Sequence, residues 1–152
     1  MKFTLLSLTT CLVIAGGSAA TETANGQAST RSYRDGPVIV VSYIHTKPGM
    51  FDKYMEYLSG PYKTNLDAQK AAGIVLDYAV YTSQPRTPTD HDVMLTVTYR
   101  NWAAFDNLAD RSDEVVNRAL KSTPPQRAQQ FMERSAMRES LGSRDYQQLI
   151  LK

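Results

Sequence analysis

The side chains of this chain best suited to moving a proton are His45, Asp77 and Asp145, with a second histidine at His91. His45 closes the apolar run 37–45. It reads either as a histidine capping the rim of the sheet, or as a general base or ligand donor at a pocket mouth. Asp77 interrupts an otherwise apolar segment, so its ionised form needs a partner or its pKa must rise. An ion pair is the simpler reading, and a catalytic acid is the alternative. His91 lies between Asp90 and Asp92 and reads as a solvated turn histidine. Nine tyrosines stand against four phenylalanines and one tryptophan. Tyr43, Tyr78, Tyr81 and Tyr99 fall on expected strands, with Trp102 just beyond the third. Side chains half apolar and half polar suit either a dimer seam or a pocket for an aromatic ligand.

No HxH, HxxxH or His–carboxylate cluster occurs, so no metal site is expected. Glycine-rich phosphate loops and a GxSxG elbow are absent too, which removes the usual support for nucleotide binding and serine hydrolysis. No cofactor is expected.

The elements that must position these residues follow from periodicity. Pro37 to His45 is β-branched and almost continuously apolar, as a strand covered on both faces would be. Lys47-Pro48-Gly49 turns the chain into a helix. Its stripe runs Phe51, Met55, Leu58, Tyr62 and Leu66, with Gly60-Pro61 expected to kink or split it and Gly73 to stop it. Ile74–Thr82 is expected as the second strand. His91–Arg100 follows as the third, with Val93, Leu95, Val97 and Tyr99 on one face. Asn101 is the expected N-cap of a helix through Leu108 that restarts near Ser112. Thr123-Pro124-Pro125 opens a helix to about Leu141, Gly142 ends it, and Tyr146–Leu151 is a last short strand.

Strands one and three are expected to lie parallel, which puts His45 and His91 roughly 25–30 Å apart at opposite ends. His45 is then expected beside Tyr99 and Arg100, with Asp145 accepting a hydrogen bond from its imidazole. A sheet covered on one face leaves the other open, and Val75, Ala79, Tyr81 and Met94 are candidates for that face.

Met1-Lys2, an uncharged apolar run from Phe3 to Ala15, and small residues ending at Ala20 have the order of a secretory signal peptide. Cys11, the only cysteine, sits inside the run and not at its end, which argues against a lipidated cysteine. Cleavage after Ala20 would leave no cysteine, hence no disulfide or thiolate site. The expected organisation is a signal peptide at 1–20, a flexible polar tail at 21–36 and one domain at 37–152. The expected location is the bacterial periplasm or the medium. A formal charge of +2 is too balanced to claim nucleic acid, and no membrane association is expected after cleavage.

The order β-α-β-β-α-(α)-β is the split βαβ of the ferredoxin-like fold. The first strand running into His45-Thr46-Lys47-Pro48-Gly49-Met50-Phe51-Asp52, and Tyr99-Arg100-Asn101-Trp102-Ala103-Ala104-Phe105, resemble the dimeric α/β-barrel superfamily. Antibiotic-biosynthesis-type monooxygenases and NIPSNAP-like proteins belong to that superfamily. The resemblance implies an α+β fold with a four-stranded antiparallel sheet, helices on one face, and two copies pairing into a barrel. Haem-degrading members use an asparagine on the first strand, and a tryptophan and a histidine on the helix after the third. Here the strand has no asparagine, the helix has no histidine, and Trp102 precedes the place near Leu108 where that tryptophan is expected.

Two functions follow. One is an exported homodimer that binds a small apolar or aromatic compound, as a binder or as a cofactor-independent monooxygenase or isomerase. In it His45, Asp77 and Asp145 carry the chemistry, and Tyr43, Tyr78, Tyr81, Tyr99 and Trp102 line the pocket. The other is a non-catalytic interaction protein whose strand tyrosines serve dimerisation alone.

Overall fold

The apolar segment after Gly36 forms the second strand from one edge of a four-stranded sheet, hydrogen-bonded on both sides. The computed structural model describes residues 31–152 except Ser122. The expected signal-peptide segment, and the expected tail up to residue 30, lie outside the described residues. Strand β1 spans Tyr33–Thr46, followed by α1 (Phe51–Tyr57), a π-helical turn (Leu58–Tyr62), α2 (Lys63–Ala71) and β2 (Asp77–Thr82). Then come β3 (Val93–Tyr99), a 3-10 turn (Trp102–Phe105), α3 (Leu108–Leu120), α4 (Pro124–Met137) and β4 (Arg138–Leu151). The sheet order is β2-β3-β1-β4 with every neighbouring pair antiparallel, the ferredoxin-like α+β arrangement with helices on one face.

That antiparallel pairing corrects the expected geometry. Ile44 pairs with Val93, so His45 and His91 sit at the same end of the sheet, not 25–30 Å apart. In a split βαβ the crossover makes β1 and β2 parallel, and β3, inserted between them, runs opposite to both. Tyr99 pairs with Val38 at the far end, and Asp145 pairs with Val40 while His45 pairs with Glu139. The expected His45–Tyr99–Asp145 grouping therefore does not form.

Other boundaries move for reasons of pairing. β1 begins at Tyr33, before the expected Pro37, because Tyr33 to Asp35 find partners in Leu151 to Leu149. β4 begins at Arg138, so the expected helix to Leu141 stops at Met137 and Gly142 lies inside a strand. Arg138, Glu139, Ser140 and Gly142 gain β1 partners there, up to Arg138 opposite Thr46. β2 starts at Asp77, and Val75 is buried with Leu66 and Ile74, not on the open face. Helix capping follows local chemistry at α4, where Thr123 and Gln126 form a reciprocal capping box. After β3 the chain makes only a 3-10 turn. It restarts at Leu108 behind Asn107, whose φ of 51° is left-handed, a conformation that asparagine tolerates.

The core lies between sheet and helices. Ile44, Val93 and Leu95 from the sheet pack on Tyr54, Leu58 and Met137. The helix buries Tyr54, Leu58 and Leu66, while Phe51, expected in the stripe, is left 38% exposed. Spacings of four drift around an α-helix by about 40° per step at 3.6 residues per turn. The π turn, which takes more residues per turn, absorbs that drift, and it falls where Pro61 supplies no N–H. The helix is thus re-phased at Gly60-Pro61 and continues without a break.

Ile44 is 1% exposed at the centre of this core. In urea unfolding, Ile44→Val should cost about 0.5–1.5 kcal/mol and Ile44→Ala about 2–5 kcal/mol. A loss below about 0.5 kcal/mol for the alanine variant would place the core elsewhere.

Candidate functional site

Two concave regions on opposite faces of the sheet hold most of the chemistry. On the helix side, a groove of about 370 Å³ opens between the π turn and β2. Met55, Leu58, Tyr62, Tyr78 and Val80 make its walls, with Ser59 and Lys63 at its edge. The Tyr62 and Tyr78 rings meet edge to face at 6.3 Å. The Tyr78 hydroxyl donates to Asp67 at 2.6 Å, and Lys63 is hydrogen-bonded to the same carboxylate. Asp67 is held below the usual carboxylate range, first by Lys63 and then by Tyr78, and the Lys63 ammonium is raised in return. The charges near the groove therefore neutralise each other.

One polar atom there is unmatched. The Tyr62 hydroxyl is buried and has no hydrogen-bond partner. Burial raises this phenol above the ordinary tyrosine range, and the neighbouring tyrosines add to the effect. The Tyr78 phenol is raised as well, chiefly by its bond to Asp67. Both hydroxyls stay protonated at neutral pH; that of Tyr78 donates to Asp67, and that of Tyr62 has no acceptor. Neither Tyr62 nor the π turn was singled out for chemistry by sequence pattern. The signal that could have pointed to them is Gly60-Pro61 inside an otherwise unbroken stripe, since π turns recur at functional sites.

The open face carries the second region. Its strands present Ile39, Val41, Tyr43 and His45 from β1, Met94, Thr96 and Thr98 from β3, and Asp77, Ala79 and Tyr81 from β2. From β4 come Glu139, Arg144 and Tyr146. The hydroxyls of Tyr43 and Tyr146 are 3.1 Å apart. Tyr146 is lowered by that bond and by Arg144, whereas Tyr43 is raised mainly by the same bond. Either hydroxyl can donate in this pair.

The expected site residues are dispersed over these regions. His45 has its Nδ1 2.9 Å from the Asp90 carbonyl oxygen, which can only accept, so Nδ1 carries the proton. The ring is oriented by this carbonyl and not by Asp145. Asp77 is exposed and pairs with Lys70 at 2.7 Å, which lowers its pKa and makes it a poor acid. Asp145 is exposed on β4 and contributes, after burial, to raising the Tyr99 phenol. Of the expected lining residues, only Tyr78 reaches the helix-side groove. Tyr43 lies on the open face, Tyr81 is half exposed there, and Tyr99 meets Phe105 at 4.8 Å with the rings tilted by 45° at the far end. Trp102 is 51% exposed beyond Tyr99 and lines neither groove. Among the described residues no group of three or more His, Cys, Asp or Glu could hold a metal. No helix among them is long and apolar enough to cross a membrane.

No protein-family model matches the sequence, and no curated protein does. Among solved structures, HapK from Hahella chejuensis aligns with a TM-score of 0.48 and 17% identity, covering 73% of this chain and 91% of that one. Protein SO0527 from Shewanella oneidensis aligns with a TM-score of 0.46 and 17% identity, covering 78% and 98%. The fold assignment rests on the strand order.

The tyrosine pair can be read directly. In an ultraviolet titration, Tyr43→Phe should return Tyr146 toward the ordinary tyrosine range, because the donated hydrogen bond that stabilises its phenolate is gone. An unchanged titration curve would mean that the two hydroxyls do not interact in solution.

Proposed function

We propose that this protein is an exported homodimer that binds a small apolar or aromatic compound in the groove between the π turn and β2. The observation that carries the ligand is the buried, unpartnered Tyr62 hydroxyl in a side chain that lines an otherwise apolar groove. A buried donor without an acceptor costs about 1–3 kcal/mol, and a ligand oxygen would supply the acceptor once the Tyr62 ring turns its hydroxyl toward the groove. The compound is therefore neutral, largely apolar, and bears a carbonyl, quinone or ether oxygen. Export is supported by the pattern of residues 1–20.

Binding is better supported than turnover. The Tyr62 phenol stays protonated and orients a ligand oxygen by donation, while Tyr78 donates its hydrogen bond to Asp67, so neither abstracts a proton. His45 does not line it. A monooxygenase or isomerase step would need a base that this groove does not present.

Thermal shifts with naphthoquinone and with naphthalene separate the two parts of the ligand. The quinone should raise the melting temperature more. Tyr62→Phe should remove the difference while leaving the free protein as stable or about 1 kcal/mol more stable, since an orphaned hydroxyl is lost. Val80→Trp, which fills the groove, should abolish both shifts. Shifts that survive Val80→Trp would sink the proposal.

The dimer is supported by the open face, where Ile39, Ala79, Tyr81 and Met94 form an uncovered apolar area, with Tyr81 50% exposed. Light scattering at micromolar concentration should give twice the chain mass, and Met94→Arg should return the mass of one chain. A wild-type monomer under these conditions would end the dimer reading.

A further inference from the structure

The open face holds a second concavity whose chemistry differs from that of the helix-side groove. It measures about 350 Å³ and lies at the end of the sheet where β1, β4 and the loop before β3 meet. Its walls include Tyr43, Asp90, His91, Leu141, Gly142 and Arg144. None of Ile39, Ala79, Tyr81 or Met94 lines it, although its wall residue Tyr43 is the cross-strand partner of Met94, so the concavity borders the area through which two copies would pair.

Three features shape it. The ladder slips between Tyr43, opposite Gly142, and Ile44, opposite Ser140, so Leu141 is an extra residue and forms a bulge. Gly142 has a φ of 118°, and a Cβ there would meet nothing within 4 Å, which leaves open space beside the Tyr43 position. The His91 ring stands edge-on to Tyr43 at 4.9 Å and 65°, fixing that ring as a wall.

The charge inside is set by which groups are already engaged. The Asp90 carboxylate accepts from the Arg86 and Thr87 backbone N–H groups and from the Thr87 hydroxyl, and its carbonyl accepts from His45. It is thus turned into its own loop. Arg144 is in none of the ion pairs found among the described residues, and its hydrogen-bonding neighbour is the Tyr146 phenol. An arginine without a carboxylate partner next to a fixed aromatic wall matches a planar acid, because the guanidinium takes both carboxylate oxygens in a fork while the ring stacks.

We propose that this groove binds the carboxylate of a small aromatic acid, with Arg144 holding the carboxylate and Tyr43 stacking on the ring. The site is separate from the helix-side groove and takes an anion where that groove takes a neutral compound. The groups that face it and could modulate binding are Tyr43, Tyr146, His91, Asp90 and, one pair further along the strands, His45 and Glu139.

The test is calorimetric titration of the whole protein with benzoate, acetate and inorganic phosphate, alongside the Tyr146 ultraviolet titration. Benzoate should bind at least about tenfold more tightly than acetate or phosphate. Arg144→Gln should weaken benzoate about tenfold, and Arg144→Lys, which keeps the charge and loses the fork, should weaken it by a few-fold. Tyr43→Leu should remove the preference for benzoate over acetate. Saturating benzoate should raise the Tyr146 titration midpoint, because it draws the Arg144 charge away from the phenol. Equal binding of benzoate, acetate and phosphate would reduce the site to surface charge and overturn the proposal. So would benzoate affinity unchanged in both Arg144 variants, or no benzoate binding at all. Loss of naphthoquinone binding with benzoate binding intact would overturn the helix-side groove alone. Should Arg144→Gln fail to fold, Arg144→Lys and Tyr43→Leu decide the matter.

Discussion

Everything in this molecule is referenced to β1. As an interior strand it must satisfy its N–H and C=O groups on two sides, and it does so against β3 over Val38–Ile44 and against β4 over Tyr33–Thr46. Its alternate side chains then divide the protein. Ile44 and Val38 face the helices and are nearly or wholly inaccessible, while Ile39, Tyr43 and His45 face away and stay partly exposed. A one-residue slip of β1 would exchange those two sets, so its register decides both the core and the chemistry of the open face.

Against this sheet the first helix pair solves a phase problem. Residues spaced by four cannot stay on one face of an ideal α-helix through three repeats, yet Tyr54, Leu58 and Leu66 are all buried. The π turn at Leu58–Tyr62 restores the phase. It also brings Tyr62 over the sheet, where Tyr54, Tyr57, Tyr78 and Tyr99 add to the effect of burial in raising its phenol. The orphaned Tyr62 hydroxyl is thus tied to the device that keeps the helix packed, and the local cost of the buried donor is offset by the burial the helix gains.

The two concavities differ because their ionic groups are disposed of differently. Near the helix-side groove, Lys63, Asp67 and the Tyr78 hydroxyl close a neutral network, leaving apolar walls and one donor. On the open face the carboxylate of Asp90 is consumed by its own turn, and among the described residues the guanidinium of Arg144 is in no ion pair. The hydrogen bond with Tyr43, and then Arg144, lower Tyr146 while burial raises Tyr62, so identical side chains acquire opposite characters within one small domain.

Much was legible in the sequence. The β-branched run after Gly36, the alternation of Val93, Leu95, Val97 and Tyr99 against Met94, Thr96 and Thr98, and the Thr123-Pro124-Pro125 helix start are local patterns, set by propensity and capping within a few residues. They carried the fold class and assigned Ala79, Tyr81 and Met94 to the open face. What local pattern does not contain is which strand ends meet. The direction of β3 relative to β1 put His91, not Tyr99, at the His45 end. The ladder with β1 drew Arg138–Gly142 out of the expected helix and into β4, and placed Asp145 beside Val40. Val75 went to the core because β2 starts two residues later. Side-chain periodicity is a property of neighbouring residues, but a site is a meeting of residues far apart in the chain. Those meetings are settled by strand direction, register and bulges, which are fixed only when the whole sheet closes its hydrogen bonds.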